Sequence, residues 1–472
     1  MPPTTSLPLA QRGRHSPPAL VDDAMREIFL RVPADDPKTL VRAAAVCTTW
    51  SRILSDVIFT REYRAFHGAP PMLGFLHNTH HERSWGRGRI KQHEEYLVSS
   101  FVSTASFRPP ACHERRHWRV LDSRHGLVLF HTPKRDEDFV ICDLVTYDRW
   151  RIDAAPECAE IIWSHQDEDH DDDDDDDEEE EEVEGVTWNA AVICAKDGCN
   201  HLYCHGGPFL VALVGSDEDQ GITFASVYSS KTDEWSDMIS IEEPNAIEMT
   251  GQIGVVGNKV YFQCECTQNV VEYNMGDEEL SVIDPIFEDD NKDIQAIGLL
   301  GMEDGMLLFA AVLEPKLYLW SMEAGSNGAA AWAQRRVIEL APLLPSRALL
   351  DVSVVGFAEG VGLIFLNTEA GLYTIELNSG RSKEVHRATS FKRVMPYTSF
   401  YTRASCWCYC YISIIKWRQK DGSLCFCCPG RICTTELRCL RLLDVLDCSV
   451  RVYALLFCLC LCQNLSPQSL CP

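Results

Sequence analysis

The residues with the most chemical reach in this 472-residue chain are cysteines and histidines near its middle: Cys194, Cys199, His201, Cys204 and His205. Thiolate and imidazole are the ligands zinc prefers, so a metal centre is the first reading to weigh. The spacing argues against it. Cys199, His201, Cys204 and His205 fall within seven residues, whereas zinc modules pair their ligands across a longer stretch. On a strand, Cys199, His201 and Tyr203 would share one face and Cys204 the other, which divides the set. Buried or turn-lining side chains are the expected role for these residues and for His125. No Gly-x-Ser-x-Gly elbow, phosphate-loop lysine signature or His-Glu-x-x-His helix occurs. The run Gly251–Gly257 imitates a dinucleotide loop, yet a strand pattern rather than a helix follows it. The sequence therefore assigns no catalytic residue, no metal ligand and no cofactor.

Binding is the chemistry that remains, and the elements that must present it start near the N-terminus. Asp22 is placed to cap a helix whose apolar residues Met25, Ile28, Phe29 and Val32 recur at i, i+3, i+4 and i+7. Pro33 ends that helix. Asp36 and Pro37 supply a cap and an N1 proline for a second helix with Leu40, Ala43, Ala44 and Cys47 on one face. Trp50, Ile53, Leu54 and Phe59 carry the pattern into a third segment. So short a module cannot bury a self-sufficient core, and part of its apolar surface is expected to face another protein.

These residues resemble the F-box. The order is Leu20, then Glu27-Ile28-Phe29-Leu30-Arg31-Val32-Pro33, then Leu40-Val41-Arg42-Ala43, then Val46-Cys47-Thr48-Thr49-Trp50, with Leu54 and Asp56 following. Ala24 stands where a leucine is usual, and Leu20-Val21 replaces a Leu-Pro opening. The resemblance implies docking on a Skp-type adaptor and, through it, a cullin-based ubiquitin ligase. The adaptor-contact candidates are Leu20, Ile28, Phe29, Leu30, Pro33, Leu40, Val46 and Trp50. Some of them must instead form the module's own core. A three-helix cap on the following domain is the plainer alternative.

Beyond the helices the texture turns to β. A glycine opens a short apolar strand, turn residues follow, and a partner strand comes next. The openings are Gly126–Phe130, Gly257–Phe262, Gly305–Phe309 and Gly362–Phe365, with Gly198 before His201–Tyr203 as a weaker copy. The partners are Phe139–Asp143, Ala225–Ser229, Val270–Asn274, Leu317–Ser321 and Leu372–Leu377. Successive glycines lie 48 to 72 residues apart, near the period of four-stranded propeller blades. Trp118 to about Met395 is thus read as a propeller-like domain of five or six blades, with a two-sheet sandwich as the other arrangement such strands allow. A propeller hydrolase has no catalytic constellation behind it.

The same region resembles the propeller-like F-box-associated domain of a large plant F-box group, best known in grasses. Trp118–Gly126, His205–Val211, Ala225–Ser230, Lys316–Ser321, Trp332–Ile338 and Val355–Gly360 carry the likeness, as does a linker motif, Phe66–Phe75. The resemblance implies a domain that recognises a protein substrate. The fold class expected is therefore multidomain: a small all-α F-box followed by an all-β propeller-like domain. Its divisions are a disordered leader at 1–17, the F-box at 18–60, a linker and start of the β domain at 61–117, the propeller-like domain at 118–402 and a Cys-rich tail at 403–472.

Charge adds two points. The formal net charge is −27, and sixteen acidic residues lie between Asp167 and Glu184, so most of the acidity belongs to one segment. No clustered basic face suggests nucleic acid. The acidic run cannot pack and is expected as a solvated loop, with a weak divalent-cation buffer or a lure for basic proteins as the sharper readings. The tail from Arg403 holds thirteen of the 22 cysteines. Cys425 and Cys428 form a lone Cys-x-x-Cys, and Val452–Cys462 is too short to span a bilayer. The tail is read as an altered transcript or gene-model end without an evolved fold. Neither a signal peptide nor a membrane segment is recognised, and the implied location is the cytoplasm, the nucleus or both. The competing function is a ligase-independent peptide- or carbohydrate-binding propeller.

Overall fold

The computed structural model describes residues 22–85, 92–105, 107–109, 118–132, 139–145, 148–163, 185–196, 199, 207–265, 269–284, 296–303, 306–324 and 330–400, with short strands between 418 and 432. Four helices come first: α1 (Asp22–Leu30), α2 (Pro37–Ala44), α3 (Thr48–Leu54) and α4 (Val57–His67). The third segment of the sequence pattern is thus two helices, because Asp56 accepts the Ile58 N–H at 3.1 Å and starts α4 afresh. Asp22 does not cap α1 from outside. It lies in the first turn, and its carboxylate takes the Arg52 guanidinium at 2.5 Å. Asp36 holds the position before Pro37 but accepts the Thr39 hydroxyl, at 2.6 Å, rather than a backbone N–H.

The β region is a six-bladed propeller. Blade 1 runs β3 (Arg119–Arg124), β4 (Leu127–His131), β5 (Phe139–Asp143) and β6 (Arg149–Ile152). Helix α5 (Pro156–Trp163) leads to blade 2: β7 (Val186–Cys194), β8 (Phe209–Asp217) and β9 (Ile222–Ser229). Its fourth strand is broken into β10 (Glu234–Trp235) and β11 (Ile239–Ile241), both paired with β9. Blade 3 is β12 (Ile253–Val256), β13 (Lys259–Gln263), β14 (Val270–Asn274) and β15 (Glu279–Ile283). Blade 4 is β16 (Ala296–Glu303), β17 (Met306–Leu313), β18 (Lys316–Ala324) and β19 (Ala330–Glu339). Blade 5 is β20 (Ser353–Ala358), β21 (Leu363–Thr368), β22 (Gly371–Glu376) and β23 (Ser382–His386). The sixth sheet is assembled from both ends of the domain, β2 (Gln92–Ser103), β1 (Met72–Trp85) and β24 (Met395–Thr398) in that spatial order.

Strand alternation explains why the sheets stack. In β4, Leu127 and Leu129 join the core shared with blade 2, while Val128 and Phe130 join the core shared with the closing blade. In β17, Leu308, Ala310 and Val312 face blade 5, while Leu307, Phe309 and Ala311 face blade 3. The period of two thus sends neighbouring side chains into opposite interfaces, and each blade needs partners on both sides to bury its apolar area. Blades 2 and 3 meet through Ala212, Val214, Val260 and Phe262; blade 5 meets the closing blade through Phe365, Val355 and Phe75. A sandwich would have two sheets with one core between them, and this arrangement replaces it.

Gly126, Gly257 and Gly362 sit in the turn before the second strand of their blades, not in the strand, while Gly305 lies outside the described residues. Gly126, Gly257 and Gly362 have φ of +82°, +60° and +66°, a region costly for residues with a Cβ. In blade 2 the second strand is β8, well past the weak copy at Gly198, which lies outside the described residues with His201–Tyr203.

Ring closure is held by a polar latch as well as by the β1–β24 ladder. The buried Tyr397 hydroxyl accepts the Leu144 N–H at 3.1 Å, and it lies 3.1 Å from the Gly126 carbonyl and 3.3 Å from Asp143 Oδ1. The division expected at 60/61 falls inside α4, and the run Phe66–Phe75 ends α4 and begins β1, so the β domain opens at Met72, within the 61–117 segment read as linker and start of the β domain. Beyond Phe400 the described residues form two short hairpins, Arg418–Lys420 with Ser423–Cys425 and Cys427–Cys428 with Arg431–Ile432. The acidic run lies outside the described residues.

Candidate functional site

The helical module has one apolar core and several exposed apolar residues. Met25, Phe29, Leu30, Leu40, Ala44, Ile53, Leu54, Phe59 and Tyr63 form its core, closed by Phe400 from just beyond β24. Tyr63 is 6.3 Å from the Phe400 ring, edge to face, and the Arg64 guanidinium lies over that ring at 5.9 Å. The Tyr63 hydroxyl donates to the Val32 carbonyl at 2.9 Å, so α4 also holds the end of α1. Burial raises the Tyr63 pKa, helped by Asp35 and Asp36. Other apolar residues of the module are exposed: Ile28, Val46, Val57, Ile58 and Phe66 are each between 49 and 70% exposed.

The eight adaptor-contact candidates divide accordingly. Ile28, Pro33 and Val46 are on the surface. Phe29, Leu30 and Leu40 are core residues, because the α1 and α2 stripes turn inward onto α3 and α4. Trp50 is half-buried with its ring edge-on to Phe29 at 5.3 Å. Leu20 lies outside the described residues. Val57, Ile58 and Phe66 escaped the sequence reading: Val57 and Ile58 lie off the Phe59–Tyr63 stripe of α4, whereas Phe66 falls on that stripe at the last turn of the helix and is exposed there.

The second polar concentration lies along the innermost strands of the propeller. Arg124 is fully engaged: its Nε donates to Asp122 Oδ2 at 3.0 Å, Nη1 to Glu359 Oε1 at 2.6 Å and Nη2 to the Ile253 carbonyl. Burial alone would disfavour its charge, but Asp122 and Glu359 more than offset that, and its pKa is raised. Asp122 also accepts the Val192 N–H at 3.1 Å, which ties β3 to β7. Arg119, the first residue of β3, donates to the Met249 carbonyl and lies over Trp188 at 5.4 Å. Arg393 stands two residues before β24. Both are 7% exposed, and burial lowers each pKa to about 10.

Of the residues first read for metal chemistry only two are described. Cys194 ends β7 and Cys199 is half-buried, while His201, Cys204 and His205 lie outside the described residues. Among the described residues no group of three or more His, Cys, Asp or Glu side chains is placed to hold a metal ion. His125 occupies the β3–β4 turn at φ +51°. Trp188 is buried, and Trp235 and Trp332 are half-buried; the Trp235 indole donates to the Asp153 carbonyl at 2.9 Å. No helix among the described residues is long and apolar enough to cross a membrane.

Residues 18–62 match the F-box domain family, a span that takes in α1 to α3 and the first half of α4. No curated protein matches the chain. Similar solved structures include dihydro-heme d1 dehydrogenase NirN in complex with DHE, at 13% identity over 58% of this chain and 44% of that one, TM-score 0.28. Apo AztD from Citrobacter koseri is similar at 8% identity over 68% of this chain and 84% of that one, TM-score 0.30. The WD40 domain of SCAP from fission yeast is similar at 10% identity over 58% of this chain and 56% of that one, TM-score 0.29. The chain spans less than two thirds of the first and third of these. The propeller rests instead on the sheet order and the cores between blades. This chain is an F-box domain followed by an all-β propeller of six blades.

Proposed function

We propose that the chain is a non-catalytic substrate receptor of a Skp–cullin–F-box ubiquitin ligase, working in the cytoplasm, the nucleus or both. The observation that carries this reading is the F-box match at 18–62 on a module that leaves Ile28, Val46, Val57 and Ile58 exposed while its core is complete without them. An apolar face of this kind is stabilised by a partner that covers it, at roughly 25 cal/mol per Å² removed from water. A Skp-type adaptor would take that face and link the chain to a cullin. The propeller would hold a protein substrate beside the ubiquitin-charged enzyme, so that its contribution to the reaction is proximity. The likeness to plant F-box-associated domains supports the same division of labour.

The test is capture of a Skp-type adaptor by the full chain, compared with an Ile28→Asp, Val46→Asp double variant. Both side chains are exposed, so the variant keeps its core, and binding should weaken by at least about tenfold. A folded wild-type chain that captures no adaptor would overturn the proposal in favour of a free-standing peptide- or carbohydrate-binding propeller.

A further inference from the structure

Among the described strands, the closing blade is one short. In each of the other five blades a fourth strand, whole or broken, forms the outer side, whereas the closing sheet ends at β2. The outer edge of β2 makes one backbone hydrogen bond among the described residues, from the Ser99 N–H to the Trp118 carbonyl at 3.0 Å. Because antiparallel pairing alternates, Leu97 and Phe101, two residues to either side of Ser99, turn their backbone N–H and C=O toward that same edge. A row of unpaired backbone groups on an edge strand is a template for a further strand. The hairpin would also gain from one. β24 pairs with β1 only from Met72 to Leu76, and from His77 to Trp85 the described β1 pairs only with β2, a two-stranded ribbon of a kind that is marginal in water.

The setting of the edge says what kind of strand fits it. β23, the outer strand of the neighbouring blade 5, is the counterpart of the strand that the closing blade lacks. Val385 of β23 and Val102 of β2 both pack against the apolar cluster at the junction of these two blades. The stretch from Arg381 to Lys392 carries four basic residues, Arg381, Lys383, Arg387 and Lys392, all exposed, against one acidic residue, Glu384, which pairs with Arg387 at 3.6 Å. On the blade 1 flank, Arg149 and Arg151 of β6 are balanced by Asp148 and Asp153 at its two ends. The unfilled position is therefore bordered by net positive charge on a chain whose formal net charge is −27. An acidic strand is complementary to that border, whereas a second copy of so acidic a chain is repelled as a whole.

We infer that an extended, acidic segment of a protein partner adds to the outer edge of β2 as the fourth strand of the closing blade. This deepens the substrate-receptor reading and rests on it, since it names the conformation and charge of the segment by which a substrate would be held. In this mode backbone pairing supplies affinity and the flanking charges supply the choice of partner. The closing blade is also the sheet joined to the helical module, through α4 into β1 and from β24 to Phe400, so a segment held there sits on the blade next to the F-box.

The test is fluorescence anisotropy of a labelled peptide of alternating Glu and Val, about ten residues long to match β2, titrated with the full chain. Binding should be saturable with a Kd of about 100 μM or tighter and should weaken as sodium chloride is raised. A peptide of alternating Lys and Val should bind at least about tenfold more weakly, and so should the Glu and Val peptide with all its amides N-methylated, which keeps the charge and loses the donors. Leu97→Pro removes one donor from the outer edge and none from the β1 ladder, and should weaken binding at least about fivefold. Where that chain fails to fold, the double variant Lys383→Glu, Arg387→Glu, at two exposed positions, carries the comparison and should weaken binding by a similar factor. Absence of peptide binding overturns the inference, in favour of a second copy on the edge if sedimentation shows a dimer and of the chain's own segments if it shows a monomer. Equal binding of the N-methylated peptide also overturns it, as capture by charge alone. Adaptor capture by the folded double variant should be unchanged, which separates failure of this edge from failure of the ligase reading.

Discussion

Replacing Phe400 with alanine tests whether the helical module depends on the propeller for its stability. Phe400 is 1% exposed and completes the core made by Met25, Phe29, Leu40, Phe59 and Tyr63. Truncating a buried Phe to Ala costs about 3–5 kcal/mol, including the cavity left behind and the lost edge-to-face contact with Tyr63. A folded unit the size of the 18–62 match holds only about 2–7 kcal/mol in total, at roughly 0.05–0.15 kcal/mol per residue. The loss is therefore comparable to everything the module has. The expected outcome of Phe400→Ala is selective melting: amide exchange in α1–α4 accelerates by about two to three and a half orders of magnitude on the scale of about 1.4 kcal/mol per tenfold, while β4, β8 and β21 keep their protection. Adaptor capture should weaken in proportion to the folded fraction. The reasoning fails if exchange in α1–α4 changes by less than about fivefold, because Phe400 would then be a bystander to a module stable without it.

Two further outcomes follow from buried polar groups. Tyr397→Phe removes the hydroxyl of the closing latch and leaves the Leu144 N–H short of an acceptor, so the urea midpoint of the propeller should fall by the equivalent of about 1–3 kcal/mol; a change below about 0.5 kcal/mol would show that the strand ladder closes the ring alone. His131 is held neutral by burial and then by the charge of Arg119, with its pKa lowered from 6.5 to about 3. The unfolded chain therefore binds a proton below pH 6.5 that the folded chain refuses until about pH 3, and stability is lost as pH falls through that window. His131→Leu should flatten the dependence between pH 6 and 4 by up to about 1.4 kcal/mol per pH unit, read from urea midpoints at several pH values, and parallel curves for the two chains would refute the assignment.

The strands were the most legible part of the sequence. The expected Phe139–Asp143 and Val270–Asn274 coincide with β5 and β14, because each is a short apolar run between turn signals and both faces are buried. The glycines before the second strands of blades 1, 3 and 5 were legible as markers because each takes a positive φ in its turn. Blade number was less legible, and the cause is topological. The closing blade has no local signature, since β1 and β24 pair across more than three hundred residues and nothing in either run names the other. The setting of Arg124 was illegible for a similar reason: its partners Asp122, Glu359 and the Ile253 carbonyl belong to three blades, and only closure of the ring brings them together. For the helices, periodicity showed which residues share a face but not which face turns inward. Leu40 and Val46 look alike in a list of apolar residues, yet one is core and the other is surface.

The short segment from Met395 to Phe400 does three things at once, and this bears on how a receptor of this design would work. Met395–Thr398 forms the inner strand of the closing blade, Tyr397 latches that blade to blade 1, and Phe400 enters the core of the helical module. On the other side of the junction, α4 passes to β1 through Gly68–Pro71, two of whose four residues are prolines, and the Ser399 N–H donates to the Pro71 carbonyl at 3.1 Å. The module is thus attached at two points, one before the propeller and one after it. Two attachments remove the rotation that a single flexible linker would allow, so the exposed Ile28, Val46 and Ile58 are held in place relative to the propeller. A receptor whose contribution is proximity gains from that restraint, because effective concentration between two bound partners falls as the connection between them lengthens or loosens.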